Sequence, residues 1–173
     1  ILIVEHDIDR ILGFADEVTV MNDGQLLVSA KPAEIRTNEH VQQIYTGSGA
    51  AAIAARKTTF EAQPGTVLKV SGINTFYGKS HILNDASLEI GKSEIVALLG
   101  RNGAGKSTFL KTVCGLVQAS SGSISFEGRE LIGMEPHNIA RLGVGYVPQG
   151  REIFPLLTVE ENLETGLQAR ADR

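Results

Sequence analysis

Three glycines and one lysine stand between two apolar runs in the stretch 100–108, which reads GRNGAGKST. The run before it, EIVALL at 94–99, is typical of a buried strand, and the run after it predicts a helix. Glycines let backbone N–H groups approach an anion, and a helix start adds unpaired N–H groups and a positive dipole end. Lys106 adds a point charge, and the Ser107 hydroxyl suits a magnesium ion. The stretch therefore predicts a cradle for nucleotide phosphates.

Three further side chains could serve this cradle. Tyr77 precedes it and could stack on an adenine face. Gln149 follows a predicted strand at 144–147, where a neutral amide could bind a metal ion or position a water. His6 ends a predicted strand at 1–5, where parallel sheets place ligand-binding groups. Each also has an ordinary interpretation, as a packed loop aromatic, a solvated glutamine or a turn histidine.

Strands and helices alternate along the chain, which predicts an α/β fold. The predicted strands are 1–5, a hairpin over 18–28 that turns at 22–24, then 67–70, 87–90, 94–99, 123–126 and 144–147. The predicted helices start at Asp7, at Pro32 with a reach to Ile44, after the cradle, at Pro136 and at a Thr158–Glu161 capping box. Residues 48–66 are small and polar, which predicts a linker between two segments.

Composition and charge exclude some classes of protein. Sixteen Lys and Arg residues stand against twenty Asp and Glu, with a net charge of −4, which argues against a body that binds nucleic acid. The single cysteine, Cys114, leaves no intrachain disulfide and suits a reducing compartment. No apolar run in the sequence approaches the roughly 18 residues that cross a bilayer.

Taken together, these motifs resemble the ATP-binding cassette (ABC) ATPases of membrane transporters. In that family IVEHD carries a switch histidine, here His6, which contacts the γ-phosphate. Tyr77 matches the adenine-stacking aromatic, 100–108 the Walker A loop, and YVPQ at 146–149 the Q-loop. The resemblance implies a P-loop NTPase fold, incomplete here, with an antiparallel β subdomain. Residues 1–47 resemble the end of one cassette, and 67–173 resemble the beginning of a second.

The resemblance is strongest to the paired cassettes of importers for branched-chain amino acids, urea and short amides, in 98–106 and 146–163. It implies an ATP-binding and ATP-hydrolysing subunit with Mg²⁺ as cofactor. The implied catalytic residues are His6, Lys106 and Gln149, and the implied magnesium ligands are Ser107 and Gln149. The implied nucleotide-binding residues are Tyr77, Gly100, Arg101, Asn102, Gly103, Ala104, Gly105, Lys106, Ser107 and Thr108.

The same resemblance implies partners and a location. The implied partners are transmembrane permease subunits, a second cassette and, indirectly, an external solute-binding protein. The implied location is the cytoplasmic face of the plasma membrane. No nucleic-acid partner is expected.

Neither an LSGGQ signature nor a strand ending in Asp-Glu occurs in the sequence. In the family these supply the clamp on the γ-phosphate and the glutamate that polarises water, so we expect this chain alone to be inactive in hydrolysis. Two alternatives stay open: a tandem ABC ATPase without a membrane partner, and a truncated module that binds ATP without turnover. In a tandem protein His6 and Lys106 would serve different ATP molecules. The family's sheet order also allows strand 1–5 to pair with 95–99 inside this chain.

Overall fold

The computed structural model describes residues 1–11, 13–46, 65–150 and 152–165. The strands are β1 (Leu2–Glu5), β2 (Glu17–Asn22), β3 (Gln25–Ala30), β4 (Thr66–Tyr77), β5 (Ser80–Gly91), β6 (Val96–Leu99), β7 (Ala119–Phe126) and β8 (Arg129–Glu130). The helices are α1 (Ile8–Ile11), α2 (Pro32–Thr37), α3 (Glu39–Thr46), α4 (Lys106–Val113), α5 (Pro136–Arg141) and α6 (Val159–Thr165). None of the helices in these ranges has the length and apolar character needed to cross a bilayer.

The first sheet has the order β1-β6-β2-β3 and contains both segments of the chain. Strand β6 lies parallel to β1, with Leu2 opposite Val96 and Glu5 opposite Leu99. On its other side it lies parallel to β2, with Val20 also opposite Leu99. The expected pairing of strand 1–5 with 95–99 inside this chain is therefore confirmed.

The second sheet is antiparallel and has the order β5-β4-β7-β8. Strands β4 and β5 form a hairpin of two 12-residue strands, longer than the predicted runs 67–70 and 87–90. Polar residues such as His81 and Asn84 occupy its exposed positions, so hydrophobic runs mark only its better buried part. This sheet confirms the expected antiparallel subdomain, and the whole is the expected α/β fold.

Strand β6 is buried on both faces because it separates two hydrophobic clusters. Val96 and Leu98 belong to the cluster that also holds Phe109 of α4, whereas Ala97 and Leu99 belong to the cluster on the opposite face. Successive side chains of a strand point to opposite faces, so a continuous apolar run is what this central position requires. The N-terminal segment contributes to both clusters, through the residues Leu2, Val4, Ile11, Val18, Val20, Met21, Leu26, Ile35 and Val41.

Two predicted elements are wrong. Residues 144–147 form no strand, because no described strand lies beside them to bond their backbone groups, and the side chain of Val147 is 88% exposed. The helix predicted from Pro32 to Ile44 is two helices, α2 and α3, with Asn38 between them in an extended conformation. The Asn38 side-chain oxygen accepts hydrogen bonds from the backbone of His40 and Val41, at 3.0 and 3.2 Å, which caps α3.

Other predicted boundaries hold. The turn at 22–24 joins β2 to β3, and α5 starts at Pro136. The capping box is present: the Glu161 carboxylate accepts from the Thr158 backbone N–H at 2.7 Å, and Thr158 Oγ1 accepts from the Glu161 N–H at 3.2 Å. Most of the predicted linker, 48–64, lies outside the described residues, and Thr66 already belongs to β4.

Candidate nucleotide site

The loop 100–105 joins the end of β6 to the start of α4. Gly103 and Gly105 have φ of 86° and 105°, values that strain any residue with a Cβ. No heavy atom lies within 4 Å of the point where a Cβ of Gly103 would stand, so the loop is open there. Gly105 directly precedes the first residue of α4, whose first N–H groups have no partner inside the helix. The predicted strand, glycine loop and helix are thus all present.

The ammonium group of Lys106 lies inside this loop. The residue is 8% exposed, and its Nζ donates to the carbonyl oxygens of Gly100 at 2.6 Å and of Arg101 at 2.9 Å. Burial lowers the pKa of Lys106, and the negative charge of Glu5 partly opposes that change. A buried cation held by neutral carbonyls favours an anionic ligand, which fits a phosphate.

The turn between β2 and β3 lies directly behind the loop. The backbone N–H of Gly24 donates to the carbonyl of Ala104 at 2.9 Å, and the Gly24 carbonyl accepts from the N–H of Asn84 at 3.0 Å. A Cβ on Gly24 would stand 2.0 Å from the carbonyl oxygen of Ile82. A glycine at this turn therefore lets the backbone of the turn fit between the loop and β5.

Two glycines of the loop are in close contact with their surroundings. A Cβ on Gly100 would lie 2.4 Å from the carbonyl oxygen of Met21 in β2. A Cβ on Gly105 would lie 3.2 Å from the side chain of Leu83 in β5. Both ends of the cradle are thus fixed by neighbouring strands, one from each segment of the chain.

The start of α4 presents Ser107 to solvent, while Phe109 on the same helix is fully buried. Thr112 anchors the helix, since its Oγ1 donates to the Thr108 carbonyl at 2.8 Å and lies 3.3 Å from the Thr75 hydroxyl. No cluster of three His, Cys, Asp or Glu side chains with metal-binding geometry occurs among the described residues. The Ser107 hydroxyl fits a Mg²⁺ ion whose other ligands would be water and substrate phosphates.

His6 follows β1 at the edge of the first sheet where β6 leads into the loop. Its side chain is 66% exposed, and its Nδ1 lies 2.8 Å from Glu5 Oε1. Since Glu5 is paired with Leu99, the residue that precedes Gly100, the structure places His6 beside the cradle. Strand pairing thus brings two predicted site residues, His6 and Lys106, to one edge.

Tyr77 is the last residue of β4 and is 48% exposed. Two residues earlier, Thr75 is paired with Leu83, the residue that contacts Gly105. Two residues of strand span roughly 7 Å, so Tyr77 lies about that distance along β4 from the residue paired with Leu83. The preceding Phe76 stacks on the His81 ring, with centroids 4.2 Å apart, which braces the hairpin end.

Gln149 is exposed and lies in a turn with Gly150. It makes no hydrogen bond or ion pair with another residue in the described ranges. The structure therefore does not join Gln149 to the cradle as it joins His6, because the strand predicted to carry it is not formed.

Two features of the site escape prediction from the sequence. Glu5 contacts the neighbouring His6, and its negative charge raises the pKa of Lys106. The sequence signal for it is a carboxylate at the end of a predicted buried strand. Gly24 supports the cradle from behind, and its signal was the Asn-Asp-Gly turn, which by itself indicates only a hairpin.

Comparisons with known proteins agree with this geometry. A family model described as ABC transporter matches residues 83–173, more than half of the chain. The branched-chain amino acid transport ATP-binding protein BraG of Pseudomonas aeruginosa is 52% identical over 100 residues, 58% of this chain and 43% of BraG. The chain thus spans less than half the length of this relative.

Two further similarities concern the whole chain and the fold. The ribose import ATP-binding protein RbsA 1 of Rubrobacter xylanophilus is 34% identical over 167 residues, 94% of this chain and 32% of that protein. The ATP-binding cassette MJ0796, solved with ADP and Pi, is 26% identical with a TM-score of 0.53, over 58% of this chain and 47% of that one. The glycine loop with its buried lysine at the start of α4 lies within the residues that the family model matches, and the match covers more than half of the chain. The chain therefore belongs to the ABC transporter family, in its ATP-binding cassette.

Proposed function

We propose that this chain is part of the ATP-binding subunit of an importer for branched-chain amino acids or related small solutes such as urea and short amides. In this role it couples Mg-ATP binding and hydrolysis to transport. The observation that carries the proposal is the buried Lys106 ammonium inside a glycine loop at the start of α4. The identity with BraG supports the solute class.

The site residues take the following roles in this proposal. Lys106 and the loop N–H groups bind the β and γ phosphates, and Tyr77 stacks on the adenine. His6 contacts the γ-phosphate, and Ser107 is one of two protein ligands of Mg²⁺. Gln149 completes the magnesium site after its turn moves toward the cradle. Ser107, Tyr77 and His6 are each exposed, which supports this distribution.

A run of exposed apolar side chains follows Gln149 and supports the proposed contact with permease subunits. Isolated exposed apolar residues are ordinary, but several along one short stretch favour a protein interface. They are Ile153, Phe154, Leu156, Leu157, Val159 and Leu163, with exposures from 38% to 96%. The chain would thus act at the cytoplasmic face of the membrane, with a second cassette as its partner.

The order of segments supports a tandem protein in which 1–47 ends one cassette and 67–173 begins another. In that protein His6 and Lys106 would serve different ATP molecules, so the roles given above for a single ATP apply to this chain, in which β1 pairs with β6. The alignment with RbsA 1 covers 94% of the chain and so includes both segments in this order. A second proposal concerns turnover: since the sequence contains neither the LSGGQ signature nor an Asp-Glu strand end, this chain alone binds Mg-ATP without hydrolysing it.

The test is to measure the affinity of the chain for Mg-ATP by calorimetry and phosphate release in the same samples. Lys106→Ala should abolish binding or nearly so. Lys92→Ala is the matched control, because Lys92 is exposed near the opposite end of β6. Unchanged affinity in Lys106→Ala would overturn the proposed site, and phosphate release at rates usual for enzymes would overturn binding without turnover.

The solute class and the permease partner need a separate experiment. We expect the full-length protein to co-purify with permease subunits and to support uptake of branched-chain amino acids or short amides. Co-purification with ribosomes or DNA in their place would favour a tandem ABC ATPase that has no membrane partner.

A further inference from the structure

We propose that Glu5 is a positioning residue that orients the His6 ring toward the phosphate end of the nucleotide. This inference rests on the proposed function, because His6 acts on a nucleotide only there. One carboxylate oxygen, Glu5 Oε1, lies 2.8 Å from His6 Nδ1 and accepts from the backbone N–H groups of His6 at 2.8 Å and Asp7 at 3.3 Å. Three donors on one oxygen fix both the ring and its backbone.

The contact decides which ring nitrogen a ligand meets. With Nδ1 committed to Glu5, the nitrogen left for a phosphate oxygen is Nε2. When the ring carries both protons, Nδ1–H donates to the carboxylate and Nε2–H is the remaining donor. A carboxylate on one histidine nitrogen orients the other in the same way in many metal and catalytic sites.

A carboxylate next to a phosphate site needs such a role, because its charge repels phosphate. Glu5 is paired with Leu99 in the neighbouring strand, one residue before the cradle, and its charge acts on Lys106 inside the cradle. Its hydrogen bonds to His6 and Asp7 lower the pKa of Glu5, so it is ionised at neutral pH. Simple repulsion therefore predicts that removing this charge strengthens ATP binding, whereas a positioning role predicts that it weakens it.

The opposite signs make a direct experiment. Affinities for Mg-ATP and Mg-ADP are measured for the wild-type chain, Glu5→Gln, His6→Ala and the double variant. We expect Glu5→Gln and His6→Ala each to lower the ratio of ATP to ADP affinity about threefold to tenfold, and the double variant to lower it no further than one of them. Additive losses, or a ratio that is unchanged or raised in Glu5→Gln, would overturn the inference.

Two further variants separate position from charge. Glu5→Asp keeps the negative charge but is one methylene shorter, so it should lose the same part of the ATP affinity. Retention of wild-type affinity in Glu5→Asp would show that only charge matters. Glu34→Gln is the matched control, because it removes one exposed carboxylate from α2, and we expect its ratio to equal that of the wild type.

A readout without nucleotide distinguishes this inference from the proposed function. The ¹⁵N chemical shifts of the His6 ring should show a protonated Nδ1 in the wild type and in Glu34→Gln, and a loss of that preference in Glu5→Gln. The same ring signature in Glu5→Gln as in the wild type would overturn the inference even if ATP binds. Failure of Lys106→Ala to weaken ATP binding would instead overturn the proposed function and leave the ring measurement valid.

Discussion

The backbone N–H of Gly24 donates to the carbonyl oxygen of Ala104 at 2.9 Å, and this bond joins the N-terminal segment to the loop 100–105, the predicted cradle. Gly24 lies in the turn of the β2–β3 hairpin, and Ala104 lies inside the cradle itself. The turn also bonds to Asn84 of β5, so it connects the first sheet to the second at the position of the loop. The cradle is therefore supported by residues from both segments.

Gly24→Ala should destabilise the protein by about 3 kcal/mol or more, because the new Cβ meets a backbone oxygen and φ is 76°. Urea unfolding followed by circular dichroism measures this loss. Gly128→Ala is the control, since φ there is 78° but no atom lies within 4 Å of the new Cβ. It should cost about 1 kcal/mol, and equal losses in the two variants would contradict the close fit behind the cradle.

Lys106→Met should weaken ATP binding at least about a hundredfold, because hydrogen bonds from a charged group to phosphate contribute about 1.5–3 kcal/mol each. In the absence of nucleotide the same variant should unfold at the same temperature or a higher one. A buried ammonium is costly to desolvate, and Met fills a similar volume without that cost. Calorimetry with ATP and thermal unfolding without it measure the two effects, and a clear loss of thermal stability would contradict the second.

Glu17→Gln should stabilise the protein at pH 7. Burial, with a smaller contribution from the charge of Glu94, raises the pKa of Glu17 above 4.5, so ionisation at neutral pH opposes folding. Below pH 4.5 the group is protonated in both states, and the penalty grows as pH rises through the raised value. The difference between variant and wild type in urea titrations should therefore vanish near pH 4 and be present at pH 7.

Thr158→Ala should weaken the start of α6, because the Thr158 hydroxyl accepts from the Glu161 backbone N–H and donates to the Glu161 carboxylate. A lost cap costs about 1 kcal/mol of helix stability, which hydrogen exchange of the amides in 159–163 measures. The Glu161 pKa is lowered by its bonds to Thr158, so this protection is present above pH 4.5 and is lost as pH falls through the lowered value. Equal exchange at pH 3 and pH 7, after correction for the intrinsic rate, would contradict the role of this contact.

Local patterns predicted the parts of the fold that depend on short-range physics. The cradle, the 22–24 turn, the start of α5 and the capping box each depend on residues within a few positions of one another. The predictions were wrong where contacts with other groups determine the local structure. Residues 144–147 have the composition of a strand but no neighbouring strand among the described residues, and Asn38 divides a helical pattern because its side chain caps α3. Glu5 and Gly24 were missed because their roles depend on contacts with residues far away in the sequence.

Strand β6 has consequences for the order in which the protein folds. Its ladder is complete only when it pairs with β1 and β2 of the N-terminal segment, more than 70 residues earlier in the sequence. Closing so large a loop is entropically slow, whereas the β4–β5 hairpin can form from adjacent residues. Nucleotide affinity should therefore appear late in refolding, after most of the β-sheet signal in circular dichroism. Binding of a fluorescent ATP analogue can therefore measure the rate of the last refolding step.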